Sequence, residues 1–187
     1  GAMVNLTGDE GALTAADKSL RDFWASIAPT SVGPASWNLT LPKQNAALTV
    51  PTQVNYVAKA GNLYDTGYQL SGSSYVVNKH LGVSWLWDRV RVSGGAYGGF
   101  CDFDVHSGVF SYMSYRDPNL LATCDVYDGT VDFLRNLELT DEELQKSIVG
   151  TIGDIDSYQL PDSKGRTAFM RHLLGIDEAT RQQRRDE

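Results

Sequence analysis

Four glycines placed around one tyrosine, in Arg91-Val92-Ser93-Gly94-Gly95-Ala96-Tyr97-Gly98-Gly99-Phe100, separate a stretch with helical apolar spacing from one that alternates residue by residue. Upstream, Ser73 or Ser74 can cap a helix running to about Val92. Val77, Leu81, Ser84, Trp85 and Asp88 lie along one side of it, with Val76, His80, Val83 and Trp87 beside them, so the helix is expected to be buried over a broad arc. Downstream, Gly99 to Asp104 and Val109 to Arg116 alternate on either side of Val105-His106-Ser107-Gly108, the pattern of an antiparallel hairpin. Glycine permits positive φ and close backbone approach, so the two Gly-Gly pairs predict a mobile or tightly bent junction that presents Tyr97. Arg91 stands six residues earlier at the expected helix end, and a guanidinium and a phenol can both donate hydrogen bonds to an oxygen gaining negative charge. The plain alternative is a glycine-rich turn carrying an ordinary half-exposed aromatic. A phosphate-binding loop does not fit: the spacing is not G-x-G-x-x-G, no lysine follows, and a strand comes next where a helix N-terminus would be needed.

The rest of the chain supplies helices and one more strand. Leu20, Phe23, Trp24 and Ile27 mark one face of a helix over 14–27 with Thr14 as its cap. Residues 29–42 read as a connector with a short strand at Trp37 to Leu41, and Thr49 to Ala60 alternates as a long strand. Asp117-Pro118 predicts a helix start, with Leu120, Cys124, Tyr127, Val131, Leu134 and Leu137 on one face as far as Leu137. Thr140-Asp141-Glu142-Glu143 is a capping box that opens a helix with Leu144, Ile148, Ile152 and Ile155 at its apolar steps. A short helix after Pro161 stops at Gly175, and Asp177 caps a last one.

Composition narrows the partners. The 187 residues suit one domain, expected over 4–187, with Gly1-Ala2-Met3 read as what tag cleavage leaves. A net charge of −7 gives no electrostatic footing on nucleic acid or an anionic membrane, while it suits cationic peptides. The two cysteines, Cys101 and Cys124, lack C-x-x-C spacing and read as buried thiols of a reducing compartment. His80, His106 and His172 are far apart, and none has a His or Cys at i+3 or i+4 to begin a zinc site. Asp102 and Asp104 do not make a calcium loop, because Gly108 falls one place late and Met113 stands where a glutamate belongs. The carboxylates of the later helices lie on their polar faces, the ordinary place for solvated charge, and do not argue for a glycosidase pair.

Trp85-Leu86-Trp87-Asp88-Arg89-Val90-Arg91, Gly94-Gly95-Ala96-Tyr97-Gly98-Gly99, Ser114-Tyr115-Arg116-Asp117-Pro118-Asn119, Gly150-Thr151-Ile152-Gly153-Asp154 and Tyr158-Gln159-Leu160-Pro161 together resemble the C-terminal part of the presequence proteases. These belong to the pitrilysin/insulinase family of zinc metallopeptidases, and the likeness runs in order from about Pro51 to Glu187. The resemblance implies an α+β fold, an antiparallel sheet with helices packed on one face. This is the repeat unit of a four-domain clamshell, and the likeness implies that it can lack its last strand here. It also implies a site in which Arg91 and Tyr97 contact the substrate carbonyl, with Gly94, Gly95, Gly98 and Gly99 as substrate-binding positions. The zinc of that family sits in the N-terminal half on H-x-x-E-H, a motif this sequence does not contain. Zinc is therefore expected in the full-length enzyme and none in this chain. The implied partners are short peptides and the N-terminal half of the protease, in the mitochondrial matrix or chloroplast stroma. The alternative in a different class is a noncatalytic peptide-binding or scaffold domain of the same fold.

Overall fold

The computed structural model describes residues 3–27, 33, 35–37, 40 and 44–187. The chain divides into two units, Gly1–Val50 with Tyr158–Asp177, and Pro51–Ser157 with Glu178–Glu187.

In the first unit, α1 spans Glu10–Ser26 and starts four residues earlier than the sequence predicts. Asp9 is the cap, accepting from Ala12 N at 2.8 Å, and the Thr14 hydroxyl donates back to Glu10 O instead. The other helix of this unit, which follows five others in the chain, spans Pro161–Leu173 with its proline in the first turn, where a missing N–H costs nothing. Leu20 and Trp24 meet Ala168, Phe169 and His172 around an open depression. The strand expected over 37–41 falls mostly outside the described residues.

The second unit is built on a three-stranded antiparallel sheet in the order β1-β3-β2, where β1 is Asn55–Asn62, β2 Gly98–Asp104 and β3 Val109–Asp117. β1 begins six residues later than predicted. The hairpin β2-β3 has the expected strands and turn, with Gly98 opposite Tyr115 and Asp104 opposite Val109. Val57, Tyr112, Ser114 and Cys101 share the covered face through the pairings Val57 with Ser114 and Cys101 with Tyr112. The apolar Tyr56, Ala58, Phe100 and Met113 stand on the open one.

Helices cover one face. α2 (Ser73–Val83) leads through Ser84 and Trp85 into a π-helical segment at Trp87–Ser93, and α3 (Leu121–Asp128) packs against β1. The core between helices and sheet is Val57, Leu86, Val90, Ala96 and Tyr127, ringed by Trp85, Cys101, Tyr112, Cys124 and Val126. The sequence places Val77 and Asp88 on the buried side, but both are exposed, while Leu86 and Val90 are sealed. α2 ends at Ser84, whose backbone leaves the helical region (φ −116°, ψ −86°), and the later residues run at π pitch, so the face drawn from α2 at 3.6 residues per turn does not carry past Ser84 to Asp88. Burial pushes the Tyr127 phenol up to about 12, and its hydroxyl donates to Val57 O at 3.3 Å.

The helix expected over 117–137 is two helices, α3 and α4 (Thr130–Arg135). Trp85 Nε1 donates to Val126 O at 3.1 Å. That carbonyl would serve the amide four residues on in an unbroken helix, and a donor inserted into the ladder is a recognised cause of a break. Leu120 and Val131, assigned to the buried face, are half exposed. α5 spans Asp141–Ile155 behind the predicted capping box, with Thr140 N and Glu143 N bonded to each other's side chains. Completing the numbering, α6 is the Pro161–Leu173 helix of the first unit and α7 is Glu178–Asp186.

Cys101 and Cys124 are free and half buried. Burial pushes the Cys101 thiol up to about 12, and its Sγ–H donates to Asn78 O at 3.4 Å. At pH 8 the native thiol is almost wholly protonated, and the thiolate is the reactive form. Iodoacetamide should therefore label Cys101 on the order of 100-fold more slowly in the native chain than in urea, as peptide mass mapping over time would show. Equal rates in both states would mean that the side chain is not sheltered.

Candidate active site

The glycine junction takes the tight alternative. Gly95 N donates to Arg91 O at 3.0 Å and Ala96 N to Val90 O at 3.1 Å, which folds the chain back on the last π turn and buries Ala96. Gly95 lies at φ 79°, a conformation open to glycine at little cost. Gly99 serves close approach: a Cβ there would stand 2.8 Å from Val90 Cβ and 3.3 Å from Leu86 O. β2 can therefore lie directly against the helical segment only without a side chain at that position. Tyr97 N donates to Arg116 O at 3.3 Å, so the bend is stitched to the end of β3 as well.

That end of β3 is held by Asp117, which is fully buried. Its Oδ1 accepts from Asn119 N and its Oδ2 from the Thr123 hydroxyl, both at 2.8 Å. Asn55 Nδ2 donates to both Asp117 O and Asn119 O, and Asn119 Nδ2 donates to Gly94 O at 2.6 Å. The sequence reading of Asp117-Pro118 as the start of a helix is thus corrected. Asp117 closes β3 and clamps the glycine bend, and the helix begins four residues later at Leu121.

These constraints leave Arg91 and Tyr97 on one open depression of about 610 Å³, together with Trp87, Val92, Gly95, Ala96 and Arg116. Tyr97 is 62% exposed and Arg91 is exposed, so both polar ends reach the solvent side. The Arg91 guanidinium carbon lies 4.0 Å above the Trp87 ring, a cation–π contact that holds the fork in place. Trp85, the other tryptophan of the run, stacks on Phe133 and belongs to the packing. The Tyr97 ring meets Tyr115 edge to face at 5.2 Å. Of the predicted glycines, Gly95 lines the depression. Gly94, Gly98 and Gly99 do not, and Gly98 is buried against the Phe100 ring.

Arg116 is the residue that sequence reasoning missed. The one available signal was its place in Ser114-Tyr115-Arg116-Asp117-Pro118-Asn119, next to a buried carboxylate whose role was misread.

Among the described residues no three of His, Cys, Asp and Glu converge on a common point. His80 Nδ1 lies 3.2 Å from Ser147 Oγ, and the ring stacks on Phe133, as suits a packing histidine.

Comparison of the sequence with known proteins shows the family. The chain belongs to the PreP C-terminal domain family, which it matches over residues 45–187. It is 60% identical, over its whole length, to presequence protease 1, chloroplastic/mitochondrial, of Arabidopsis thaliana, and covers 17% of that protein. It is 37% identical over 81% of its length to protein HypA of Clostridium perfringens, covering 15% of it. It is 27% identical over 74% of its length to the mitochondrial presequence protease of Mus musculus, covering 13%. The chain thus spans 13–17% of the length of these relatives.

Proposed function

We propose that this chain is the part of an organellar zinc metallopeptidase, degrading cleaved presequences and other short unstructured peptides, that supplies hydrogen-bond donors to the scissile carbonyl. The observation that carries the reading is that Arg91 and Tyr97, six residues apart in the family's glycine motif, open onto a single depression. In this reading the zinc and its ligands belong to the N-terminal half, and this chain alone is inactive. Its residues act on the substrate. The Arg91 guanidinium, held against Trp87, and the Tyr97 hydroxyl donate to the carbonyl oxygen as it takes on negative charge, and Gly95 lets the peptide approach the bend. Donors fixed before reaction stabilise that charge without reorganising, which is where such sites gain most. A net charge of −7 favours arginine-rich, acid-poor targeting peptides as substrates. The names of the Arabidopsis and mouse relatives support a mitochondrial or chloroplast setting.

The test is complementation. The chain alone should contain no zinc and hydrolyse no fluorogenic presequence peptide, whereas mixing it with the N-terminal half of the protease should give peptide hydrolysis that depends on Tyr97. Hydrolysis by the chain alone would overturn the proposal. A mixture that binds peptide without cleaving it would favour the scaffold reading.

A further inference from the structure

Arg116 carries features that packing does not explain. It is the one non-glycine residue with positive φ (49°) among the described residues, a conformation that costs a residue with a Cβ of order 1 kcal/mol or more. The Asp117 clamp on one side and the Tyr97 N–H bond to its own carbonyl on the other hold it there. The conformation puts the side chain on the depression, with the guanidinium carbon 6.0 Å from the Tyr97 ring and 5.8 Å from the Tyr115 ring. Among the described residues neither Arg116 nor Arg91 forms an ion pair; of the seven described basic residues without one, these two line the depression, in a chain with 23 acidic residues against 16 basic. Two guanidiniums without carboxylate partners, ordered against aromatic rings at one opening, are a receptor for negative charge.

We infer that Arg116 binds a carboxylate of the peptide substrate, either its C-terminus or an acidic side chain, while Arg91 and Tyr97 take the scissile carbonyl. This rests on the peptidase reading. A planar fork matches a carboxylate with two parallel hydrogen bonds, and the charge-assisted contact is made in the ground state as well as the transition state. Its loss therefore belongs in KM.

The experiment uses the full-length protease and one peptide in three forms: with a free C-terminal carboxylate, with a C-terminal amide, and with its acidic residue changed to the corresponding amide. The parent enzyme should prefer one carboxylate form over its neutral counterpart by about tenfold in kcat/KM, and the arm that shows the preference identifies the source. Arg116→Gln should abolish the preference through a rise in KM. Arg116→Gly, which suits the backbone conformation, should do the same if the glutamine variant folds poorly, and Arg116→Lys should restore part of it. Equal treatment of all three peptides by the parent enzyme, or a preference that survives both Arg116→Gln and Arg116→Gly, overturns the inference. The peptidase reading fails separately, if Arg91→Ala and Tyr97→Phe leave kcat unchanged.

Discussion

In the full-length protease, Tyr97→Phe is expected to lower kcat by about 100- to 1,000-fold with little change in KM, because one fixed donor to a developing oxyanion is worth that much. The substitution removes one oxygen from a side chain that is 62% exposed, so stability should hold and the loss should be chemical. Arg91→Ala should produce a similar loss, and Arg91→Lys should recover little of it. A lysine cannot reproduce the planar fork that lies 4.0 Å over Trp87, and an ammonium presents a single point of charge. Steady-state kinetics on a presequence peptide, with thermal melts of each variant as the folding control, separate the chemical effect from a structural one. If both variants keep their turnover, the depression is not where the carbonyl sits.

The largest effect on stability is expected at Asp117. Replacing it with alanine deprives Asn119 N and the Thr123 hydroxyl of their acceptor in a fully buried place. Each stranded buried donor costs about 1–3 kcal/mol, so Asp117→Ala should destabilise the chain by about 3 kcal/mol and lower its melting temperature by about 10 °C. Asp117→Asn should fall between the two, since it keeps one carbonyl for the Asn119 amide and the Thr123 hydroxyl can turn to accept. The same clamp shapes the site, through Asn119 Nδ2 on Gly94 O and through the backbone of Arg116. The full-length Asp117→Asn variant should therefore lose turnover at temperatures well below its melt. An alanine variant as stable as the parent would show that the carboxylate is not the anchor described above.

Local chemistry made the bend and the elements beside it legible from residue order. The change of apolar period across the glycines located the bend, and the resemblance to the presequence proteases singled out Arg91 and Tyr97, which the fold brings to one depression. The hairpin and the α5 capping box were likewise readable, because each is decided by near neighbours in the chain. Contacts that arise only when distant segments meet were not. The break of α2 at Ser84 and the π pitch at Trp87–Ser93 leave no mark in apolar spacing, so the buried face was drawn through Asp88 instead of Leu86. The break between α3 and α4 depends on Trp85, 41 residues from the Val126 carbonyl it takes. Asp117 has the sequence of a helix cap, yet it is claimed by Asn119 and Thr123 at the end of a strand that must also meet Asn55. Arg116 was missed for the same reason, since a positive φ on an arginine is imposed by its surroundings.

A crystal structure of the full-length protease with a peptide-like inhibitor carrying a tetrahedral oxyanion mimic tests most directly whether these two side chains grip the scissile carbonyl. Tyr97 Oη and a guanidinium nitrogen of Arg91 should each lie within about 3.2 Å of the mimic's charged oxygen. An inhibitor bound in the chamber with that oxygen out of reach of both groups would contradict the role given to them here.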